Sequence, residues 1–322
     1  MNGSFTHLRV SSEYSIFKGL LSIEKLVEKA KSFGMPAIAL TDHSNMFGLV
    51  KFFKKCEKEG IKPISGSTLN IARSLEDRPS EFLCLAKNIN GHKNLMHGLS
   101  KASRNQSKAI VYDDFLNICN DIFVISGSEN SEIFSLILND KEDEAADLIK
   151  KYKADFKNNF VIEIQNTGKE SHKIFMASIF PIASRLSIPV IATNDVLFGD
   201  REDFEIHETK VCINSGKTLN DPNREKIYSE EQYFKSQDEM QDLFRDFPEV
   251  LSNTLEIAKQ CNLSLEPDGY FLPEYPVPEG QDFDSHLKSL VEENLNNLTA
   301  EFGKDQLEEY KARVKYELDQ IK

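Results

Sequence analysis

Apolar residues recur along this chain in two rhythms. Short β-rich runs stand at Thr6–Val10, Ala37–Thr41, Pro63–Ile71, Phe82–Ala86, Ile122–Ser126, Phe160–Gln165 and Pro189–Thr193, each of strand length and bounded by polar residues. Between them lie stretches with helical spacing, the clearest being Ile23–Phe33. There Ile23, Leu26, Val27 and Ala30 form one stripe, Ser22 can cap the first turn, and Gly34 offers a left-handed stop before Pro36. Phe47–Glu59 ends the same way at Gly60, and Ser171–Leu186 precedes the last strand. Strands alternating with helices predict a parallel (β/α) arrangement, an open sheet or a barrel, and periodicity does not choose between them.

The interval between the fourth and fifth strands holds the polar stretch Ser103–Lys108, expected as an exposed loop. Two helices are predicted beyond the last strand, Glu230–Phe244 and Pro248–Cys261, with Ser236 and Asp238 near a start. Four prolines (Pro267, Pro273, Pro276, Pro278) then fix an extended connection through Gly280. Leu307, Tyr310, Val314, Leu318 and Ile321 keep a helical spacing up to Lys322, as in a helix cut from a longer chain.

Composition narrows the function classes. The chain has 322 residues, 28% of them charged, and a formal net charge of −13. That balance argues against the whole domain gripping phosphate backbones, which needs clustered Lys and Arg. Lys51, Lys54, Lys55 and Lys58 are the one basic candidate, and their spacing fits a solvated helical face. The five cysteines are scattered without a C-x-x-C pair, as expected of reduced cytosolic thiols. No apolar run approaches the roughly 18 residues of a membrane span, so a cytoplasmic protein is expected.

If the strands close a barrel, residues just past their ends converge on one mouth. That inventory contains Arg9, Ser11, Ser12, Asp42, His43, Ser67, Thr68, Ser126, Ser128, Asn166, Thr167, Asn194, Asp195 and Leu197. Only His43 and Asp195 among them are good ligands for a transition metal, and a stable site usually takes three or four. The expected mouth is polar and poor in ligands.

Several long strings in the same places carry a family likeness. HLRVSSEYSIFKGLLSIEKLVEKAKSFGMPAIALTDHSNMFG, GIKPISGSTLNI, FLCLAKNINGHKNL, IPVIATNDVLF and EIAKQCNLSLEPDGYFLPEYPVP follow one another in order. Together they resemble the PHP domain (polymerase and histidinol phosphatase family), as it occurs in the polymerase III alpha family of bacterial replicative polymerases. The likeness runs from Phe5 to the closing YELDQIK. It implies an α/β fold, a distorted (β/α)7 barrel over residues 1–268. A Pro-rich linker at 269–280 and a helical start of the polymerase palm at 281–322 would follow.

An active member carries a trinuclear metal site that hydrolyses phosphoesters. Of the positions the resemblance assigns to it, His43 and Asp195 survive here. Arg9 and Ser11 stand at its H-x-H pair, and Lys18 stands where an aspartate is expected. Thr68, Glu81, Ser128, Thr167 and Leu197 occupy the other lost positions. Arg9 and Lys18 would repel a divalent ion, and each is expected to pair with Asp42, Asp195 or Glu81 instead. Alternatively Glu81, His43 and Asp195 could hold one loose ion.

The resemblance therefore implies a catalytically inactive scaffold with no cofactor of its own. The parent would be a DNA-directed DNA polymerase whose magnesium sits in the palm, outside this chain. Implied partners are the proofreading exonuclease (epsilon) subunit and the remainder of the polymerase III core, with little or no DNA contact and no membrane. The rival readings are an active metal-dependent phosphoesterase, 3'-5' exonuclease or pyrophosphatase on the same barrel, and an unrelated (β/α) enzyme.

Other residues invite functional readings that structural ones outweigh. His7 lies two positions from Arg9 and so is expected to share its strand face, and it reads as a hydrogen-bonded core histidine. His207 reads as a helix-packing residue, and His92 and His97 as exposed. Asp282 and Asp284 form a D-x-D, with Asp284 expected to cap a helix near Ser285. No Walker loop, G-x-S-x-G elbow or H-E-x-x-H helix is present.

Overall fold

The computed structural model describes residues 5–105, 107–126, 128–265, 269, 272–298 and 304–321. It divides into two compact units, Met1–Leu265 and Glu266–Lys322. The first is built on β1 (Ala37–Leu40), β2 (Lys62–Ala72), β3 (Ser80–Ala86), β4 (Ile110–Val111), β5 (Ile122–Ser126), β6 (Phe160–Ile164) and β7 (Val190–Ala192). The sheet runs β1-β2-β3-β5-β6-β7, with β4 paired to β2.

Two features depart from the all-parallel expectation. β3 runs antiparallel to both β2 and β5, because a turn rather than a crossover helix joins β2 to β3. The run Thr6–Val10 forms no regular ladder, yet it closes the ring. Ala39 N–H donates to the His7 carbonyl (3.0 Å) and Thr41 N–H to that of Val10 (2.9 Å). On its other side Ser11 N–H donates to the Val196 carbonyl (2.9 Å), and Val196 N–H to that of Arg9 (3.2 Å). The result is a distorted barrel with one irregular stave.

Helices pack outside: α1 (Ile23–Ser32), α2 (Leu49–Glu59), α3 (Ile89–Ser103), α4 (Tyr112–Ile118), α5 (Glu132–Leu138), α6 (Glu142–Phe156), α7 (Glu170–Arg185), α8 (Phe204–Ser215), α9 (Gln237–Leu243) and α10 (Glu249–Gln260). Local chemistry sets their ends. Ser22 accepts from Lys25 N–H to open α1, whose stripe Ile23, Leu26, Val27 and Ala30 is buried. Gly60, in the left-handed region at φ 72°, ends α2. α9 begins later than the spacing predicts, capped reciprocally by Ser236 and Glu239. The preceding residues are committed elsewhere, since Leu197 N–H donates to the Gln232 carbonyl (2.9 Å) and Phe234 N–H to that of Phe198 (3.0 Å).

The barrel interior is lined by Leu8, Ala37, Ala39, Ile64, Leu83, Leu85, Phe123, Ile125, Val161 and Ile191, and one end is plugged by Ile257, Ala258 and Cys261 at the end of α10. Outside the sheet, Phe156 lies among the rings of Phe82, Tyr112, Phe115, Tyr152 and Phe160, with centroids 5.8–6.4 Å away. Truncating it opens a cavity in that cluster. Phe156→Ala should cost about 3–5 kcal/mol in a urea unfolding curve.

Three surface expectations change or gain detail. His92 is buried, with Nδ1 3.2 Å from Ser65 Oγ, because it faces β2 from the first turns of α3; His97 is exposed. On α2, Lys51 pairs with Glu24 and Glu13, and Lys55 with Glu28 and Glu59, so this face is charge-balanced rather than a basic patch. All five cysteines are free and buried. Among the described residues no helix is long and apolar enough to cross a membrane.

The second unit contains α11 (Phe283–Leu298) and α12 (Lys304–Ile321). Asp282, not Asp284, caps α11: Ser285 N–H donates to Asp282 Oδ1 (2.8 Å), while Asp282 N–H donates to Ser285 Oγ (3.0 Å). Asp284 sits one place inside, where its charge favours the helix N-terminus. Residues 272–278 form neither helix nor strand; Pro267 lies outside the described residues.

Candidate functional site

The end of the barrel opposite the α10 plug is polar, and the strand pleat explains why. Inward-facing positions that are apolar deep in the barrel become carboxylates near the mouth, Glu81 two residues before Leu83 on β3 and Glu163 two residues after Val161 on β6. Because β3 runs backwards, its first residues lie at the same end as the last residues of β5 and β6.

Arg9 fills the space between these acids. Its Nη1 donates to Glu81 Oε1 (2.7 Å), while Nε and Nη2 form a fork onto Glu163 (3.0 and 2.5 Å). The side chains of all three are at most 4% exposed. Thr193 Oγ1 also donates to Glu163 Oε2 (2.8 Å), so both oxygens accept hydrogen bonds. Burial pushes the Glu163 carboxyl up against the pull of Arg9, and this donor set identifies the group as a carboxylate. Burial also opposes the Arg9 charge, but Glu163 and Glu81 outweigh it and raise the guanidinium further.

Lys18 Nζ stands 3.5 Å from Glu81 Oε2 and His43 Nδ1 3.6 Å from it. Burial would raise the Glu81 carboxyl; Lys18 and Arg9 more than reverse this and hold it at about 2. His43 is lowered by burial and by Lys18, and its Nδ1 lies 3.0 Å from Thr68 Oγ1. The expected pairing of Arg9 and Lys18 is thus with Glu81, together with an acid that the strand-end inventory missed. The missed signal is the lone acid in FVIEI, at an inward position of a strand buried along its length.

Asp42 takes a different course from the one expected. Instead of a cation it receives Ser12 N–H (2.7 Å), Ser12 Oγ (2.8 Å) and Ser15 Oγ (2.6 Å). Burial raises its carboxyl and these hydroxyls partly offset the rise. Asp195, held at φ 42°, accepts from Gln232 Nε2 (2.9 Å). Thr167 N–H donates to His172 Nδ1 (3.2 Å), and Ser11, Ser128 and Leu197 are buried. His7 does not share Arg9's face, since the stave is irregular. Its Nε2 meets the Lys235 carbonyl (2.8 Å) and its ring packs on Phe5 and Phe234. His207 is a buried packing residue of α8, with Nε2 on the Lys18 carbonyl (2.8 Å).

These residues do not fit a metal cluster. Among the described residues no three or more His, Cys, Asp or Glu side chains gather as one requires. Glu81, the acid nearest His43, already faces two cations, and a divalent ion beside them would meet uncompensated repulsion in a poorly solvated cavity.

One family pattern matches residues 7–167, half of the chain, which hold β1–β6 and the mouth residues Arg9, His43, Glu81 and Glu163. The chain belongs to the PHP domain family. Along its length it is similar to DNA polymerase III subunit alpha of Pseudomonas aeruginosa, 39% identical over 333 aligned positions that cover all of this chain and 28% of the relative. The protein of the same name in Escherichia coli is 36% identical, with 97% of this chain and 27% of that protein covered. The chain therefore spans little more than a quarter of the curated relatives it matches. Among solved structures, an amidohydrolase from Chromobacterium violaceum aligns at 13% identity and a TM-score of 0.39, covering 60% of this chain and 87% of that one.

Proposed function

We propose that this chain is the PHP barrel of a DNA polymerase III alpha subunit and serves there as a non-catalytic scaffold in the cytoplasm. The observation that carries the scaffold reading is Arg9. Its guanidinium bonds both buried acids of the mouth, Glu81 and Glu163, and together with Lys18 balances their charge, which supports ion pairing there over metal binding. The barrel is braced by ion pairs in place of ligand bonds. The parent's DNA synthesis belongs to a palm with its own magnesium, of which residues 281–322 are the helical beginning.

In this reading the partners are the rest of the polymerase core and the separate proofreading exonuclease subunit, which the barrel docks. Loss of hydrolytic chemistry is tolerable where another protein supplies proofreading, because the outer surface is retained. The net charge of −13 is consistent with little direct hold on DNA.

The test has two arms. Elemental analysis and calorimetric titration with zinc and manganese should give no bound metal and no saturable heat. A pull-down with the exonuclease subunit should retain it. Tight binding of several ions per chain would overturn the scaffold reading in favour of a metal-dependent phosphoesterase, and failure to retain the exonuclease would remove the docking role alone.

A further inference from the structure

Beyond α8 the chain continues as an irregular segment that reaches the barrel mouth at Ser229–Gln232. It leaves α8 through Gly216, at φ 67° with nothing within 4 Å of where a Cβ would stand. At the far side Ser229 Oγ donates to the Thr167 carbonyl (2.9 Å), and Gln232 Nε2 to Asp195 (2.9 Å). Between these ends the segment is bonded mostly to itself. Asp221 N–H donates to the Thr218 carbonyl (3.1 Å), Arg224 N–H to that of Asp221 (3.2 Å), and Asn223 N–H to Asp221 Oδ1 (2.8 Å).

Its ties to the rest of the unit are few. Leu219, Asn223 and Ile227 are exposed. Arg224 points inward with its side chain 9% exposed and pairs with Glu208 of α8, itself 6% exposed. Lys169 Nζ donates to the Ile227 carbonyl (2.7 Å), and the Tyr228 ring meets His207 edge-on. Beneath lies a cleft of about 760 Å³ lined by Thr167, Lys169, Glu208, Leu219, Arg224 and Tyr228 among others.

We infer that Lys217–Tyr228 is a hinged strap, latched by the Arg224–Glu208 pair, that opens as a unit and gives the barrel mouth two states. A segment with so little apolar burial is held by its attachments, so its opening free energy tracks them. Gly216 supplies the hinge, and the turn at Ser229–Gln232 holds the other end. Opening lifts Tyr228 off His207, on the side where Lys18 and Asp195 lie, while leaving the Arg9 brace untouched.

Hydrogen exchange read by mass spectrometry on the whole chain tests this. Glu208→Gln and Arg224→Gln should each speed exchange of the Asp221, Asn223 and Arg224 amides about tenfold or more. Peptides from β5 and β6 should keep their protection. The double variant should exchange no faster than either single one, because a latch can be lost only once. Lys169→Met, at a half-exposed residue that leaves the barrel intact, should give a smaller acceleration and serves if the charge variants fail to fold. Strap amides already exchanging at the unprotected rate in the unaltered chain would overturn the inference. So would single variants or Lys169→Met without effect, or additive effects in the double variant.

Discussion

Arg9→Met lowers folding stability by about 3–5 kcal/mol, the cost of leaving buried carboxylates without their cation. The side chain is 3% exposed and bonds two acids at most 4% exposed, so water cannot easily replace it. Lys18 remains near Glu81 and softens the loss there, whereas Glu163 keeps only Thr193. Adding Glu81→Gln and Glu163→Gln to Arg9→Met should recover a large part of the deficit, since no buried carboxylate is then left without its cation and Lys18, the charge that remains there, is partly exposed. Urea unfolding of the single and triple variants at neutral pH checks both statements. A single variant within 1 kcal/mol of the unaltered chain would show that the barrel does not depend on this brace.

Acid should unfold the first unit in two overlapping stages. Burial lowers His7 from its ordinary 6.5 to about 4, with Lys235 lowering it further and its hydrogen bond to the Lys235 carbonyl opposing the drop. A folded-state value below the unfolded one means that the unfolded chain binds the proton first. The stability from His7 is therefore complete above pH 6.5 and lost as pH falls towards 4. At about 1.4 kcal/mol per unit this amounts to roughly 3 kcal/mol. Glu81 follows with the same sign, its contribution present above 4.5 and lost as pH falls towards 2. In His7→Gln, which can keep a donor for the Lys235 carbonyl, the slope of stability between pH 6.5 and 4 should flatten. An unchanged slope would assign that stage to another group.

How much of this is legible in the residues depends on what positions each one. The α/β class and the start of α1 follow from local spacing and caps, which act over a few residues. The ion pair between Arg9 and Glu81 follows from motif positions, because a cation and an acid stand where ligands are expected. Glu163 is not found by counting strand ends, since it lies inside β6 and its importance comes from pleat parity with Val161. His92 is hidden for a related reason, because burial of α3's first turns depends on where β2 passes. The serine cradle of Asp42 depends on the path of residues 11–15, which no periodicity describes. The reversal of β3 is a matter of how strands connect, and apolar runs of one length read the same in either direction.

The irregular stave at the start of the chain bears on how the molecule is made. The backbone partners of residues 6–11 include Val196, far along the chain. Until β7 and the turn after it are made, the stave lacks Val196 on its other side and the barrel has an open seam. Contacts of such separation are slow to form because loop closure precedes their reward. A nascent chain paused before that point carries unpaired sheet edges, the kind of intermediate that chaperones shield. Closure thus waits for the residues around Val196, and deleting residues 5–11 would remove a wall of the barrel.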